Sequence, residues 1–139
     1  MKYDDYRWHI AEDYPTDLPK EAALTHMGMF MGWVLDKGFE GDILKERFSE
    51  NIDKFRKRQI TGAKFLELSS DFRLVSEDLN DEANKFAEFY YASDDYFDDY
   101  IDLSDDNSET IFHEPDTWAK YEIIKKMIEE KYEEWTFRN

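Results

Sequence analysis

Two groups of side chains in this sequence are of types that could do chemistry. The first is the histidines, of which there are three: His9, His26 and His113. His26 lies in the apolar run Leu24-Thr25-His26-Met27-Gly28-Met29-Phe30. A histidine on a buried helix can titrate near neutral pH and serve as a switch or an acid/base group. In that reading His26 shares a pocket with Trp33 and a carboxylate such as Glu21 or Asp17, and a cavity beside Gly28 and Gly32 would mark it. The plainer reading is a core histidine hydrogen-bonded to a carboxylate or carbonyl, because buried polar groups are normally satisfied.

The second group is a concentration of carboxylates. No Lys or Arg occurs between Lys85 and Lys120, and that interval holds eleven Asp and Glu residues. Tyr90, Tyr91, Tyr96, Phe97 and Tyr100 are interleaved with Asp94, Asp95, Asp98, Asp99 and Asp102. Such a run is most simply a solvated face with its aromatics turned inward. It also suits a docking surface for a basic protein, because tyrosine supplies rigid contact area and carboxylates pair with Arg and Lys. On that reading Asp94, Asp95, Tyr96, Asp98, Asp99, Tyr100 and Asp102 face outward and touch the partner. Calcium is a third option. The run, however, lacks the glycine turn and terminal glutamate of a helix–loop–helix calcium site.

No established catalytic or metal pattern is present. None of the histidines sits in H-E-x-x-H spacing, and no nucleophile elbow, phosphate loop or dinucleotide fingerprint occurs. With 34 acidic residues, some acid/base pair could always be proposed, so abundance alone carries no signal. The expectation is a protein that is not an enzyme, with no metal and no cofactor. Cysteine is absent, which excludes disulfides and thiolate metal sites and fits a reducing cytoplasm.

The elements that would position these residues read as helices. Pro15 and Pro19 prevent a continuous helix at the start, and Tyr6, Trp8 and Ile10 alternate like a short strand in an irregular N-terminal arm. A helix beginning near Pro19 is apolar on nearly every side from Ala22 to Leu35, so it is buried all round, and Lys37-Gly38 stops it. Gly28 and Gly32 lie on one face of that helix, each at a propensity cost of about 1 kcal/mol. Close approach of another element is the expected compensation. Asp42 caps a second helix to about Gln59, with Leu44, Phe48, Ile52 and Phe55 as its stripe. After the break at Thr61-Gly62 a short helix spans Lys64 to Ser70, and residues 71–78 connect onward. Asn80 or Asp81 caps the next helix, with Ala83, Phe86, Ala87 and Tyr90 on one face; Ser93-Asp94-Asp95 restarts it or is run through. A polar loop follows. Pro115-Asp116 opens the last helix, whose stripe is Trp118, Tyr121, Ile124, Ile128, Tyr132 and Trp135.

The 139 residues therefore predict one all-α domain: four main helices, short helical pieces and the irregular arm. A net charge of −16 argues against nucleic acid and against an anionic membrane surface, since both need Lys and Arg. A homodimer on the Trp118, Tyr121, Ile124 and Ile128 stripe is compatible with the pattern.

The stretch Thr25-His26-Met27-Gly28-Met29-Phe30-Met31-Gly32-Trp33 resembles a family of small, acidic, uncharacterised bacterial proteins sharing T-H-x-G-M-F-x-x-W. There it follows a D-x-P-x-E-A-A lead, here Asp17-Leu18-Pro19-Lys20-Glu21-Ala22-Ala23. A second similar block runs from Thr61-Gly62 through Glu77-Asp78-Leu79-Asn80 and Tyr90-Tyr91 to Asp99-Tyr100. Phe72-Arg73 stands where that pattern has a glycine-lysine turn, and Ala83 where it commonly has glycine. The likeness spans about residues 6–100. Proteins of this type look like immunity proteins encoded beside secreted toxins. The resemblance thus implies a cytoplasmic binding module that neutralises a cognate basic toxin or effector. The competing expectation is a small-ligand protein or enzyme built on His26, Trp33 and Glu21.

Overall fold

The computed structural model describes residues 1–11 and 13–138. The fold is mostly helical, as the sequence predicts. A 3-10 turn over Lys20–Leu24 leads into α1 (Thr25–Lys37), and every residue from Thr25 to Leu35 is buried. Helix α1 is the axis of the molecule, with α4 (Gly62–Ser69) and α7 (Trp118–Arg138) packed along it. Gly38 ends α1 in the left-handed conformation at φ 73°, and its N–H bonds back to the Leu35 carbonyl.

The helix glycines are compensated by close contact. A Cβ on Gly28 would stand 2.2 Å from the Ala63 nitrogen, and one on Gly62 would stand 1.9 Å from the Gly28 carbonyl oxygen. Helices α1 and α4 therefore meet backbone to backbone. Gly32 faces the Tyr121 and Phe55 rings. Among the described residues, the space a side chain would need at Gly28 and Gly32 is filled by the α4 backbone and by these rings.

The expected helix 42–59 is two helices, α2 (Asp42–Arg47) and α3 (Ser49–Arg56), hinged at Phe48. The break at φ −129°, ψ 30° lets Leu44 on one piece and Ile52 and Phe55 on the other reach the same core. Helix α4 starts at Gly62, earlier than expected, because the Thr61 hydroxyl already accepts the Lys64 N–H.

The alternation of Tyr6, Trp8 and Ile10 does not form a strand. The Asp5 carboxylate accepts the Arg7 N–H and turns residues Tyr6–Trp8 into a 3-10 helix. The strand is β1 (Lys2–Asp5), paired antiparallel with β2 (Arg73–Val75), which lies inside the segment 71–78 expected to be a plain connection. Consecutive positive φ values at Asp71 and Phe72 turn the chain into β2.

Helix α5 (Asp81–Tyr90) is capped by Asn80, whose Oδ1 accepts the Ala83 N–H at 2.9 Å. Asn80→Ala should cost about 1 kcal/mol, read as a melting point lower by roughly 4 °C; an unshifted midpoint would show that the cap contributes nothing. The chain restarts at Asp94, left-handed at φ 69°, into α6 (Asp95–Asp102). In α7, Tyr121, Ile124 and Ile128 are buried and Trp118, Tyr132 and Trp135 half-buried. The stripe considered for a second copy is thus covered within one chain. Among the described residues no helix is long and apolar enough to cross a membrane.

Candidate functional site

The polar centre of the molecule is Asp4, carried on β1 and only 5% exposed. Its Oδ1 meets His9 Nε2 at 2.7 Å and accepts the Asp5 backbone N–H at 2.8 Å. Its Oδ2 meets His26 Nε2 at 3.2 Å and accepts the Tyr91 hydroxyl. Four segments contribute: β1, the turn after it, α1 and the end of α5.

Burial alone would push the Asp4 carboxyl up, but its hydrogen bonds to His26 and His9 hold it well below the usual carboxylate range. Burial pushes His26 below its ordinary value against the opposing pull of Asp4. The pair therefore rests as a carboxylate beside a neutral imidazole. Phe97, Tyr100 and Phe112 ring His26 at centroid distances of 5.3, 5.9 and 6.2 Å, and the His9 ring stands edge-on to it at 4.8 Å. His26 is the satisfied buried histidine of the plainer sequence reading.

The pocket expected from His26, Trp33 and Glu21 is not assembled. Trp33 packs among Phe30, Phe39, Phe86 and Tyr132, Glu21 is exposed, and Asp17 binds His113 instead at 3.0 Å. His26 and Trp33 are seven residues apart and share a helix face, but two turns, about 10 Å along the axis, separate them, and different neighbours cover each. His26 instead meets Asp4 and the His9 ring, and Tyr91 joins the cluster through Asp4, a set the sequence does not mark. Asp4 is one of 34 acidic residues, and nothing local says that β1 crosses to α1.

The tyrosines of the acidic segment do not face outward. Tyr96 and Tyr100 are both 0% exposed. Their one-turn spacing puts them together on the inner face of α6, where the Tyr96 hydroxyl donates to the His26 carbonyl and the Tyr100 ring packs beside the His26 ring. They are clamps rather than contacts. Asp94, Asp95, Asp98 and Asp102 are exposed, and Asp99 is half-buried, accepting the Tyr90 hydroxyl at 2.6 Å. Asp95, Asp98 and Asp102, with Asp99 between them, share the outer face of α6.

That face borders two clefts against α7. One, of about 420 Å³, is lined by Phe89, Tyr90, Asp95, Asp98, Asp99 and Trp135 together with Lys131, Glu134 and Arg138. The next, of about 390 Å³, is lined by Asp99, Asp102, Leu103, Ile123 and Met127 with Lys126, Glu130 and Lys131. Six carboxylates stand there against three cations. Phe89, Leu103 and Ile123 are large apolar residues left exposed beside them. On the other flank of α6 a cleft of about 420 Å³ leads to Asp4 and His9 past Asp94 and Asp98.

Two groups bring potential metal donors together among the described residues. They are the enclosed Asp4, His9 and His26, and the more exposed Asp17, Glu109 and His113.

Residues 2–114 match the family model of a domain of unknown function, DUF7832. The match includes β1, β2, the Asp4 cluster and all of α6, and it stops before α7. No curated protein and no solved structure matches the chain.

Proposed function

This chain belongs to the DUF7832 family, and we propose that it is a non-catalytic, cytoplasmic protein-binding module: an immunity-type inhibitor that occludes a cognate basic toxin or effector. One observation carries the reading. Asp95, Asp98 and Asp102 line the exposed face of a helix that buried Tyr96 and Tyr100 hold from behind. Carboxylates on a helix already fixed in place lose little freedom when a partner arrives. With a net charge of −16, long-range attraction raises encounter with a cationic protein. The apolar contact area comes from Phe89, Leu103 and Ile123, not from the tyrosines expected to supply it.

The test is co-expression with the protein encoded next to this chain in its own genome, followed by association kinetics on the purified pair. Reversing Asp95, Asp98 and Asp102 together to Lys should slow association by at least about tenfold at low salt. The gap between parent and variant should close as salt screens the charges. Asp99 is left alone because it holds Tyr90. A triple variant with an unchanged melting point and an unchanged on-rate would remove this surface from consideration.

A further inference from the structure

We propose that Asp4, His9 and His26 form a binding site for a divalent transition-metal ion, with zinc as the type case. The three donor atoms lie within 4.8 Å of one another. Two ligand atoms each about 2.1 Å from a tetrahedral zinc stand roughly 3.4 Å apart. The His26 Nε2 to Asp4 Oδ2 distance of 3.2 Å already fits that spacing. The His9 Nε2 to Asp4 Oδ1 distance of 2.7 Å opens with a small swing of His9, whose side chain is 19% exposed on the cleft.

The chemistry of the set agrees. Two imidazoles and one carboxylate suit zinc and its neighbours, whereas magnesium and calcium require mostly oxygen ligands. A metal needs the imidazoles neutral and the carboxylate ionised. A neutral imidazole carries one proton, so moving that proton from Nε2 to Nδ1 frees the Nε2 lone pair. The Tyr91 hydroxyl holds Asp4 Oδ2 from behind, the arrangement by which an outer partner orients a ligating carboxylate. A route in also exists, since the cleft reaching Asp4 and His9 carries Asp94 and Asp98 at its walls and draws cations. Three protein ligands leave a position for water or a small ligand, as in open zinc sites.

The experiment is calorimetric titration of the chelator-treated full chain with zinc chloride, with magnesium chloride as counter-probe. One zinc per chain is expected at micromolar or tighter affinity, with no comparable heat from magnesium. His9→Ala should weaken zinc by more than about 100-fold. Tyr91→Phe should cost roughly 10–100-fold, the range for an outer partner. His113→Ala, which removes the other donor group, should change nothing. Zinc should also shift the ring resonances of both His9 and His26 in the unaltered protein, a readout that needs no variant to fold. No saturable zinc binding, binding that survives in His9→Ala, binding lost in His113→Ala, or unmoved His9 and His26 resonances would overturn the proposal. None of these changes touches Asp95 or Asp102, so failure here leaves the docking face untested by the same data.

Discussion

Gly62→Ala is expected to cost about 3 kcal/mol or more, the upper end for overpacking, and in a domain of this size that takes much of the folded population. The added methyl would sit 1.9 Å from the Gly28 carbonyl oxygen. That neighbour is backbone, so it cannot swing aside as a side chain could, and α1 and α4 must separate. Gly28→Ala should behave alike, its Cβ falling 2.2 Å from the Ala63 nitrogen. The sign is informative, because Ala in an ordinary helix interior gains about 1 kcal/mol over Gly. Gly32→Ala should be milder, since its nearest neighbours at 2.7 and 2.9 Å are ring edges of Tyr121 and Phe55. Denaturant unfolding of the three variants checks the order. A Gly62→Ala protein within 1 kcal/mol of the parent would mean that the helices do not meet as closely as described.

Lys120→Met should cost about 3–5 kcal/mol, the penalty for removing one partner of a buried ion pair. Lys120 and Glu114 are both buried and 2.6 Å apart, and the ammonium also donates to the Leu103 carbonyl at 2.7 Å. The pair joins the end of α6 to the start of α7. Replacing both members, Glu114→Leu with Lys120→Met, should be far less damaging than the single change. Acid supplies an independent check. Burial pushes Glu114 up, but Lys120, the Asp105 N–H and the Ser108 hydroxyl outweigh it and hold the carboxyl below its ordinary 4.5. A carboxyl with a depressed folded value stabilises the protein above its unfolded value and loses that contribution as pH falls through the folded one. Parent stability should therefore drop below about pH 4.5. The gap between parent and Lys120→Met should narrow in the same window, because the stranded carboxylate is then protonated. A gap that stays constant down to pH 3 would contradict this role for the pair.

The helical elements were largely legible because their signals are local. The apolar run after Pro19, the Gly38 stop, the Asn80 cap and the stripe of α7 each depend on residues within a few turns of one another. The split at Phe48 was not legible, since both helices keep the same 3.6-residue stripe and only the shared core sets the hinge. The acidic segment was half legible. Its carboxylates do share an outer face, but reading Tyr96 and Tyr100 as surface contacts ignored that i and i+4 residues travel together, here inward. The Asp4 cluster was not legible at all. His26 stood out by its apolar surroundings, but Asp4 reaches it from 22 positions away through a strand pairing with no sequence period, and Tyr91 joins only through Asp4.

That pairing sets an order of assembly. Lys2 lies opposite Val75, so β1 and β2 close a loop containing four of the helices. Contacts so far apart along the chain form only after the entropy of closing the loop has been met. Asp4 thus reaches His26 late, once the helical body exists to receive it. Tyr3, Asp4 and Asp5 of β1 are all buried once it docks. The buried carboxylate is thus the latch of the arm: through it β1 is tied to His26 on α1 and to Tyr91 at the end of α5.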